Sequence, residues 1–376
     1  MKKVLILTTS TGQGHNQAAN SLTETFIENG YEVVKYDFLY NNSKFLNKII
    51  VSGYEISATK FPKLYGLLFY HLTDFKYINT ALKLSFGLND RKLLRYINSV
   101  NPDIIIGTHS FSVNIISRLK KNKLINIPFI SVITDFKAHY TYISQYVDAY
   151  IAGSSYTKEH LISRGIDENK IFTFGIPIKK EFYTIDSEVA FTKDSQYFNI
   201  LLMSGSMGLS NIFYVLKELL KNKHKLRITV VCGKNTTLKK KLLSLYSKPI
   251  ENKKVHVLGY TNDIPSIMDY CDIVISKPGG LTVTESIAKK LPIVIPFAIP
   301  GQEIENTEFL LQNKCAIYVN NLNDINKEMD KLIENPDILN IMKKRLQELG
   351  KNFSVDNIVK LSDKLIKKVI YKKIHN

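Results

Sequence analysis

The feature that most constrains the fold is a pattern that occurs twice: a short apolar run, a glycine-rich loop and a helical segment. A continuous apolar run is typical of a central strand in a parallel sheet. A strand, a glycine loop, a helix and a further strand predict the opening of a Rossmann-like domain. The first copy comprises residues 4–7, 8–15 and 16–29, and the second comprises residues 198–203, 204–208 and 209–221. The repeat therefore predicts an α/β protein with two Rossmann-like domains in tandem.

The length of the chain agrees with two domains, because 376 residues are too many for one ordinary core. A polar stretch without strand patterns begins near residue 178 and ends near residue 197. We therefore predict a first domain over residues 1–178 and a second over residues 197–350. A basic helix over residues 351–376 either returns to the first domain or contacts lipid, and the sequence does not favour one of these.

The most informative motif follows an apolar run at residues 272–275. Gly279 and Gly280 allow a sharp turn and a close approach of the backbone to a ligand. The helix that starts there offers free N–H groups and a positive dipole end to an anion. Glu285 lies one turn into this helix, where its carboxylate can accept the hydroxyls of a ribose. Three more polar groups follow a second strand: Gln302, Glu303 and Asn306. Together these features predict a nucleotide-sugar pocket.

The pattern Lys-Pro-Gly-Gly-x-Thr-x-x-Glu, followed by Pro-Gly-Gln-Glu-x-x-Asn, resembles the donor-site signature of diacylglycerol glycosyltransferases. These are the bacterial processive glucosyltransferases and the plant galactolipid synthases. The resemblance implies a GT-B fold, in which two Rossmann-like domains face each other across a cleft. It also implies an inverting transfer of a hexose from a UDP-sugar to diacylglycerol, with glucose favoured and galactose possible.

The resemblance also assigns roles to individual residues of the second domain. It implies that Glu285 binds the ribose and that Gln302, Glu303 and Asn306 read the hydroxyls of the hexose. It implies phosphate contacts from Gly205 and Ser206, and a nucleobase held by backbone groups near Ile264. The remaining donor-binding residues of the motif are Lys277, Gly279, Gly280 and Thr282.

The first glycine loop carries a weaker signal, because Gln17 stands where a dinucleotide fingerprint has its third glycine. This substitution disfavours an NAD oxidoreductase. The loop does resemble the Gly-x-Gly-His-x-x-Ala-Ala pattern of the same transferases, with Gly12 and Gly14 on the acceptor side and His15 near the acceptor hydroxyl. A helix-capping role for His15 is the alternative.

Three candidates for acid–base chemistry follow apolar runs of the first domain: His15, His109 and Asp135. In open α/β sheets, ligands bind beyond the carboxyl ends of the strands, so these side chains should converge. We expect His15 or Asp135 to be the general base and His109 to be a supporting donor. The chain has no Asp-x-Asp motif, so we expect neither a metal nor a cofactor, and the pyrophosphate charge would be stabilised by helix N-termini and glycine loops.

The formal net charge of +17 indicates an anionic partner. Residues 43–97 carry nine Lys or Arg, three acidic residues and ten aromatic residues. This composition predicts an interfacial surface for an anionic membrane, although a pair of core helices with solvated lysines would look similar. No nucleic-acid motif is present. No apolar run reaches the roughly 18 residues of a spanning helix. We therefore expect a cytoplasmic protein bound peripherally to the inner face of the membrane.

Three other functions stay open at this point. A lipid-linked N-acetylglucosaminyltransferase of peptidoglycan synthesis has a looser version of the motif, but the run Pro-Gly-Gln-Glu at residues 300–303 fits the diacylglycerol group better. A UDP-sugar 2-epimerase would not need the basic aromatic segment. A non-catalytic UDP-sugar sensor would need Glu285 and Gln302 but could dispense with His15 and Asp135.

Overall fold

The computed structural model describes residues 1–9, 13–38, 90–184, 193–203, 205, 210–246, 248 and 250–375, with residues 13 and 372–375 described by their backbone alone. Gly12 and Ser206, two of the predicted site residues, lie outside these ranges. So does most of the predicted membrane surface, because residues 43–89 are not described.

The chain divides into two compact units. The first unit comprises Met1–Ile178, Pro300–Gln302 and Asn352–Asn376. The second unit comprises Lys179–Ile299 and Glu303–Lys351. The last helix thus belongs to the first unit.

The first unit is built on a parallel sheet of six strands in the order β2-β1-β3-β4-β5-β6. Its four central strands are short, largely apolar runs whose side chains are buried on both faces, as expected for a parallel sheet covered by helices. The strands are β1 (Lys3–Thr8), β2 (Glu32–Asp37), β3 (Ile104–Gly107), β4 (Phe129–Val132), β5 (Ala149–Ile151) and β6 (Ile171–Phe172). The helices are α1 (Gln13–Glu28), α2 (Asp90–Val100), α3 (Ser110–Lys121), α4 (Ser155–Ser163) and the final helix (Val355–His375).

The final helix of the chain completes one face of this sheet. Ile358 and Val359 lie in the same apolar cluster as Leu22 and Phe26 of α1. The chain reaches this helix beside Gly175, where a Cβ atom would lie 2.6 Å from the ring of Phe353. Gly175 also has φ +81°, so both its space and its backbone conformation favour glycine.

The second unit repeats this architecture with a parallel sheet in the order β12-β11-β10-β7-β8-β9. The strands are β7 (Phe198–Met203), β8 (Leu226–Val231), β9 (Lys253–Leu258), β10 (Ile273–Ile275), β11 (Ile293–Ile295) and β12 (Ala316–Tyr318). The helices are α5 (Ile212–Leu219), α6 (Thr236–Leu245), α7 (Ile264–Tyr270), α8 (Gly280–Ala288), α9 (Gln302–Gln312), α10 (Ile325–Glu334) and α11 (Pro336–Leu349). The helix Val355–His375 is then α12 of the whole chain.

Two predicted helix boundaries were wrong. The first helix starts at Gln13 and not at residue 16, so Gly14 and His15 lie in its first turn instead of in the preceding loop. The helix after β7 is Ile212–Leu219, shorter at both ends than the predicted 209–221. A glycine in a first helical turn costs little, because the N–H groups of that turn have no partner within the helix in any case.

Candidate functional site

The second unit has a topological switch point between β7 and β10. From β7 the chain moves to β8 and β9 on one side of the sheet, and from β10 it moves to β11 and β12 on the other. The loops that follow two such strands diverge and leave a crevice in which open α/β sheets bind ligands. Gly205 follows β7 and Lys277 follows β10. A Cβ atom at Gly205, where φ is +76°, would lie 3.4 Å from Cε of Lys277, so the two loops meet.

The turn after β10 leads into helix α8 without a side-chain cap. Gly279 is the N-cap residue, with φ −64° and ψ 146°, and no side chain bonds to the first turn from this position. Gly280 and Thr282 lie in that first turn. The N–H groups of this turn and the helix dipole therefore favour an anion at this end.

Glu285 is the titratable residue of helix α8 and lies one turn after its start. The side chain is half-buried. Burial raises the pKa of Glu285 to about 7, and the nearby Lys179 opposes this by lowering it. A carboxyl group with such a pKa is available both as an acid and as a carboxylate near neutral pH.

Helix α9 brings two further predicted residues to the same region. One carboxylate oxygen of Glu303, Oε1, forms an ion pair with Nζ of Lys277. The other, Oε2, accepts a hydrogen bond of 2.9 Å from the backbone N–H of Ile299. Asn306 is buried and donates from Nδ2 to the carbonyl of Pro278 at 2.9 Å. This bond ties α9 to the turn before α8, a structural role for Asn306 that the sequence pattern did not indicate.

The other predicted donor residues lie at helix starts. Gln302 is the first residue of α9 and follows Gly301, whose φ of +105° only glycine adopts readily. Ile264 is the first residue of α7, directly after the loop that leaves β9. These positions fit the predicted roles but do not test them.

The first unit has the same kind of switch point, between β1 and β3. His15 follows β1 and His109 follows β3, and their ring centroids lie 4.5 Å apart in an edge-to-face arrangement. Nδ1 of His15 lies 2.9 Å from the carbonyl oxygen of Thr108 and 2.9 Å from Oγ1 of Thr134. The sequence prediction that His15 and His109 converge is thus correct.

The hydrogen bonds assign opposite tautomers to the two rings. A carbonyl oxygen can only accept, so Nδ1 of His15 carries the proton and Nε2 has the lone pair. Nδ1 of His109 accepts a 3.1 Å hydrogen bond from the N–H of Phe111, so in a neutral ring Nε2 carries the proton. The pair therefore offers one basic nitrogen and one N–H donor.

Both rings stay neutral at physiological pH. Burial lowers the pKa of His15 to about 4, and the hydrogen bond to Thr108 offsets only a part of this. Burial also lowers the pKa of His109 well below its usual value, and His15 adds to the effect.

Asp135 lies beyond β4 and is buried. At this strand end, Oγ1 of Thr134 contacts Nδ1 of His15. The phenol of Tyr142 forms hydrogen bonds with both Thr134 and Asp135, and burial together with this carboxylate raises the pKa of Tyr142. Thr108, Thr134 and Tyr142 were not predicted as site residues. The only signal for the two threonines was their place directly after apolar runs.

The chain matches two family models, one in each half. Residues 15–178 match the model described as monogalactosyldiacylglycerol (MGDG) synthase. Residues 199–365 match the glycosyltransferase family 28 C-terminal domain. A protein of Bacillus subtilis (strain 168) named processive diacylglycerol beta-glucosyltransferase is 31% identical over 93% of this chain and 91% of its own length. A relative of the same name from Bacillus pumilus (strain SAFR-032) is 30% identical over 96% of each chain.

The chain belongs to the diacylglycerol glycosyltransferase family. The family predicted from the residues 276–306 is thereby confirmed. The fold is confirmed as well, because solved structures of GT-B proteins superimpose on nearly the whole length of this chain. Acinetobacter baumannii MurG matches 97% of this chain and 100% of its own with a TM-score of 0.62 at 14% identity. A co-structure of S. aureus MnaA with UDP matches 96% and 95% with a TM-score of 0.61 at 13% identity.

Two further observations bear on the predicted absence of a metal and on the predicted membrane contact. In the described part of the chain, one group of side chains has metal-ligand spacing: His224, Asp330 and Glu334. Lys223 forms ion pairs with both of these carboxylates and offsets one of their two negative charges. None of the helices within the described residues combines the length and the apolar character that crossing a bilayer requires.

Proposed function

We propose that this protein transfers a hexose from a UDP-hexose to the hydroxyl of diacylglycerol, with inversion at the anomeric carbon. Glucose is the favoured hexose, because the curated relatives are named glucosyltransferases. The observation that carries the proposal is the cluster at the β7–β10 switch point, where Gly205, Lys277, the start of α8 and Glu303 come together. A helix N-terminus suits a diphosphate, and carboxylates, one of them oriented by an ammonium group, suit the hydroxyls of a ribose and a hexose.

In this proposal the β7–β10 switch point and helix α9 bind the donor. The diphosphate lies against the first turn of α8 and the Gly205 loop, whose N–H groups stabilise the charge of the leaving UDP. The ribose hydroxyls donate to the carboxylate of Glu285. Gln302 and Glu303 bind the hydroxyls of the hexose.

The first unit supplies the acceptor chemistry. Nε2 of His15 accepts the proton of the acceptor hydroxyl while that oxygen forms its bond to the anomeric carbon, and the bond to UDP breaks. A pKa of about 4 makes the ring a weak base. Proton transfer should therefore be late, after bond formation has made the hydroxyl more acidic. Nε2–H of His109 donates to the acceptor oxygen and orients it, and the buried Asp135 supports the site together with Tyr142.

The fold does not decide between a transferase and an epimerase, since MurG and a UDP-N-acetylglucosamine 2-epimerase of Listeria monocytogenes both superimpose on this chain. An assay does. The purified protein is incubated with labelled UDP-glucose or UDP-galactose and with diacylglycerol, and the lipids are separated by thin-layer chromatography. Label in a glycolipid, with a β linkage by NMR, supports the proposal. Release of free sugar or epimerised UDP-sugar without glycolipid refutes it. We expect the same turnover in the presence of EDTA.

We also propose that the protein works on the anionic inner surface of the cell membrane. The net charge of +17 supports this. So does the exposed face near the end of α12, where Ile370 and Tyr371 are 50% and 64% exposed and lie beside Lys364, Lys367 and Lys368. Co-sedimentation with anionic but not zwitterionic vesicles, weakened by salt, is the expected result. Equal binding to both, or none to either at low salt, would refute it.

A further inference from the structure

The carboxylate of Glu303 is fixed at both of its oxygens. Oε1 pairs with the ammonium group of Lys277, and Oε2 accepts the N–H of Ile299 at 2.9 Å. The side chains of Lys277 and Glu303 are only 16% and 11% exposed. Within the described ranges, these bonds use two of the four lone pairs of the carboxylate and leave two for hydroxyl groups.

The pairing matters because a carboxylate with little access to water needs a partner for its charge. Without one, the side chain would turn away from the site. Lys277 therefore determines the direction in which the remaining lone pairs of Glu303 point.

We propose that Lys277 is a positioning residue for hexose recognition and acts through Glu303, not through the diphosphate. This inference rests on the proposed function, because it takes the ligand to be a UDP-hexose. Lys277 lies against Gly205 and holds Glu303, so it connects the loop after β7 with helix α9. The chemistry that it serves is the reading of adjacent hydroxyls on a sugar ring by an oriented carboxylate.

The test separates the sugar from the nucleotide by comparing two probes, UDP and UDP-glucose. Calorimetry measures both affinities for the wild type, Lys277→Met, Glu303→Gln and the double variant. We expect Lys277→Met and Glu303→Gln each to weaken UDP-glucose binding by about tenfold or more, which is the usual effect of losing a hydrogen bond to a charged group. Neither variant should change UDP affinity by more than about twofold.

The double variant keeps the test valid if Lys277→Met alone does not fold, because it leaves no unpaired buried charge. Adding Lys277→Met to Glu303→Gln should change UDP-glucose affinity by less than about twofold, as expected for residues that act as a unit. Thermal unfolding of each variant serves as the control for folding.

Two outcomes would overturn the inference. One is a loss of UDP affinity in Lys277→Met that equals the loss of UDP-glucose affinity, which would make Lys277 a diphosphate ligand. The other is a further tenfold loss in the double variant relative to Glu303→Gln. If the wild type binds neither probe, the proposed function fails together with this inference. If the wild type binds both probes, either of the first two outcomes refutes the role of Lys277 and leaves the proposed function intact.

Discussion

Raising the pH from about 6 to about 8 should strengthen the binding of UDP-glucose, because Glu285 ionises in this range. Burial raises the pKa of Glu285 to about 7 in the free protein. In the proposed complex, Glu285 accepts hydrogen bonds from the ribose and is ionised. Binding must therefore remove a proton from Glu285 at any pH at which the unliganded protein still carries that proton. Affinity should be highest above this pKa and should fall as the pH decreases through it.

The size of the effect follows from the ionised fraction of Glu285. With a pKa of about 7, this fraction is about 9% at pH 6 and about 91% at pH 8. If only the ionised form binds the ribose well, the dissociation constant changes about tenfold over this range, which corresponds to about 1.4 kcal/mol. His15 has a pKa of about 4, and the pKa of His109 also lies well below its usual value, so neither histidine titrates in this pH range.

Calorimetry in buffers with different ionisation enthalpies measures both the affinity and the protons released. We expect the enzyme to release about 0.9 protons on binding at pH 6 and about 0.1 at pH 8. UDP-glucose is the correct probe, because the terminal phosphate of UDP itself titrates with a pKa of about 6. Glu285→Gln should remove the proton release. Lys179→Met should move the midpoint to higher pH, since Lys179 lowers the pKa of Glu285.

The reasoning would be refuted by wild-type protein that binds UDP-glucose with the same affinity at both pH values and releases no protons. Such a result would mean that Glu285 binds in its protonated form or lies away from the ribose. An unchanged pH dependence in Glu285→Gln would assign the titration to another group.

Two further predictions concern the first unit. His15→Ala should lower turnover by about 10²-fold or more, while UDP-glucose affinity, measured on the same preparation, stays unchanged. Asp135→Asn should also lower turnover. A double variant with much lower turnover than either single variant would show that the two residues act separately. Gly175→Ala should destabilise the protein by more than Gly165→Ala in thermal unfolding. Both positions have positive φ, at +81° and +86°, but only at Gly175 does a Cβ atom meet a neighbour, the ring of Phe353 at 2.6 Å. The backbone cost of about 1 kcal/mol should thus be common to both, with about 1–3 kcal/mol more at Gly175, and equal unfolding temperatures would contradict the clash.

The sheets were predictable because their central strands are continuous apolar runs in the sequence. The run at residues 4–7, for example, became the buried centre of β1. The placement of His15 and His109 at one sheet edge also followed, since carboxyl ends of parallel strands share an edge. Such inferences need only periodicity and topology, which are local or general properties.

The partners of these residues were not predictable. His15 contacts Thr108 and Thr134, which lie 93 and 119 residues away in the chain. Nothing in the pattern distinguished Thr134, which makes this contact, from its neighbour Asp135, which has the more reactive side chain. The bond between Asn306 and Pro278 is a similar case, because a motif residue that was predicted to read a sugar also holds the backbone of a neighbouring loop. Contacts of this kind depend on side-chain geometry after folding.

The two switch points show why the proposed reaction needs two different environments. A general base must be neutral, and burial keeps His15 and His109 neutral by disfavouring their charged forms. The same burial acts against any ammonium group that would face a diphosphate or hold a carboxylate. In the second unit, the ammonium group of Lys277 instead lies in a largely buried ion pair with Glu303. The proposed reaction thus uses neutral imidazole rings at one sheet edge and an ion pair at the edge of the other sheet.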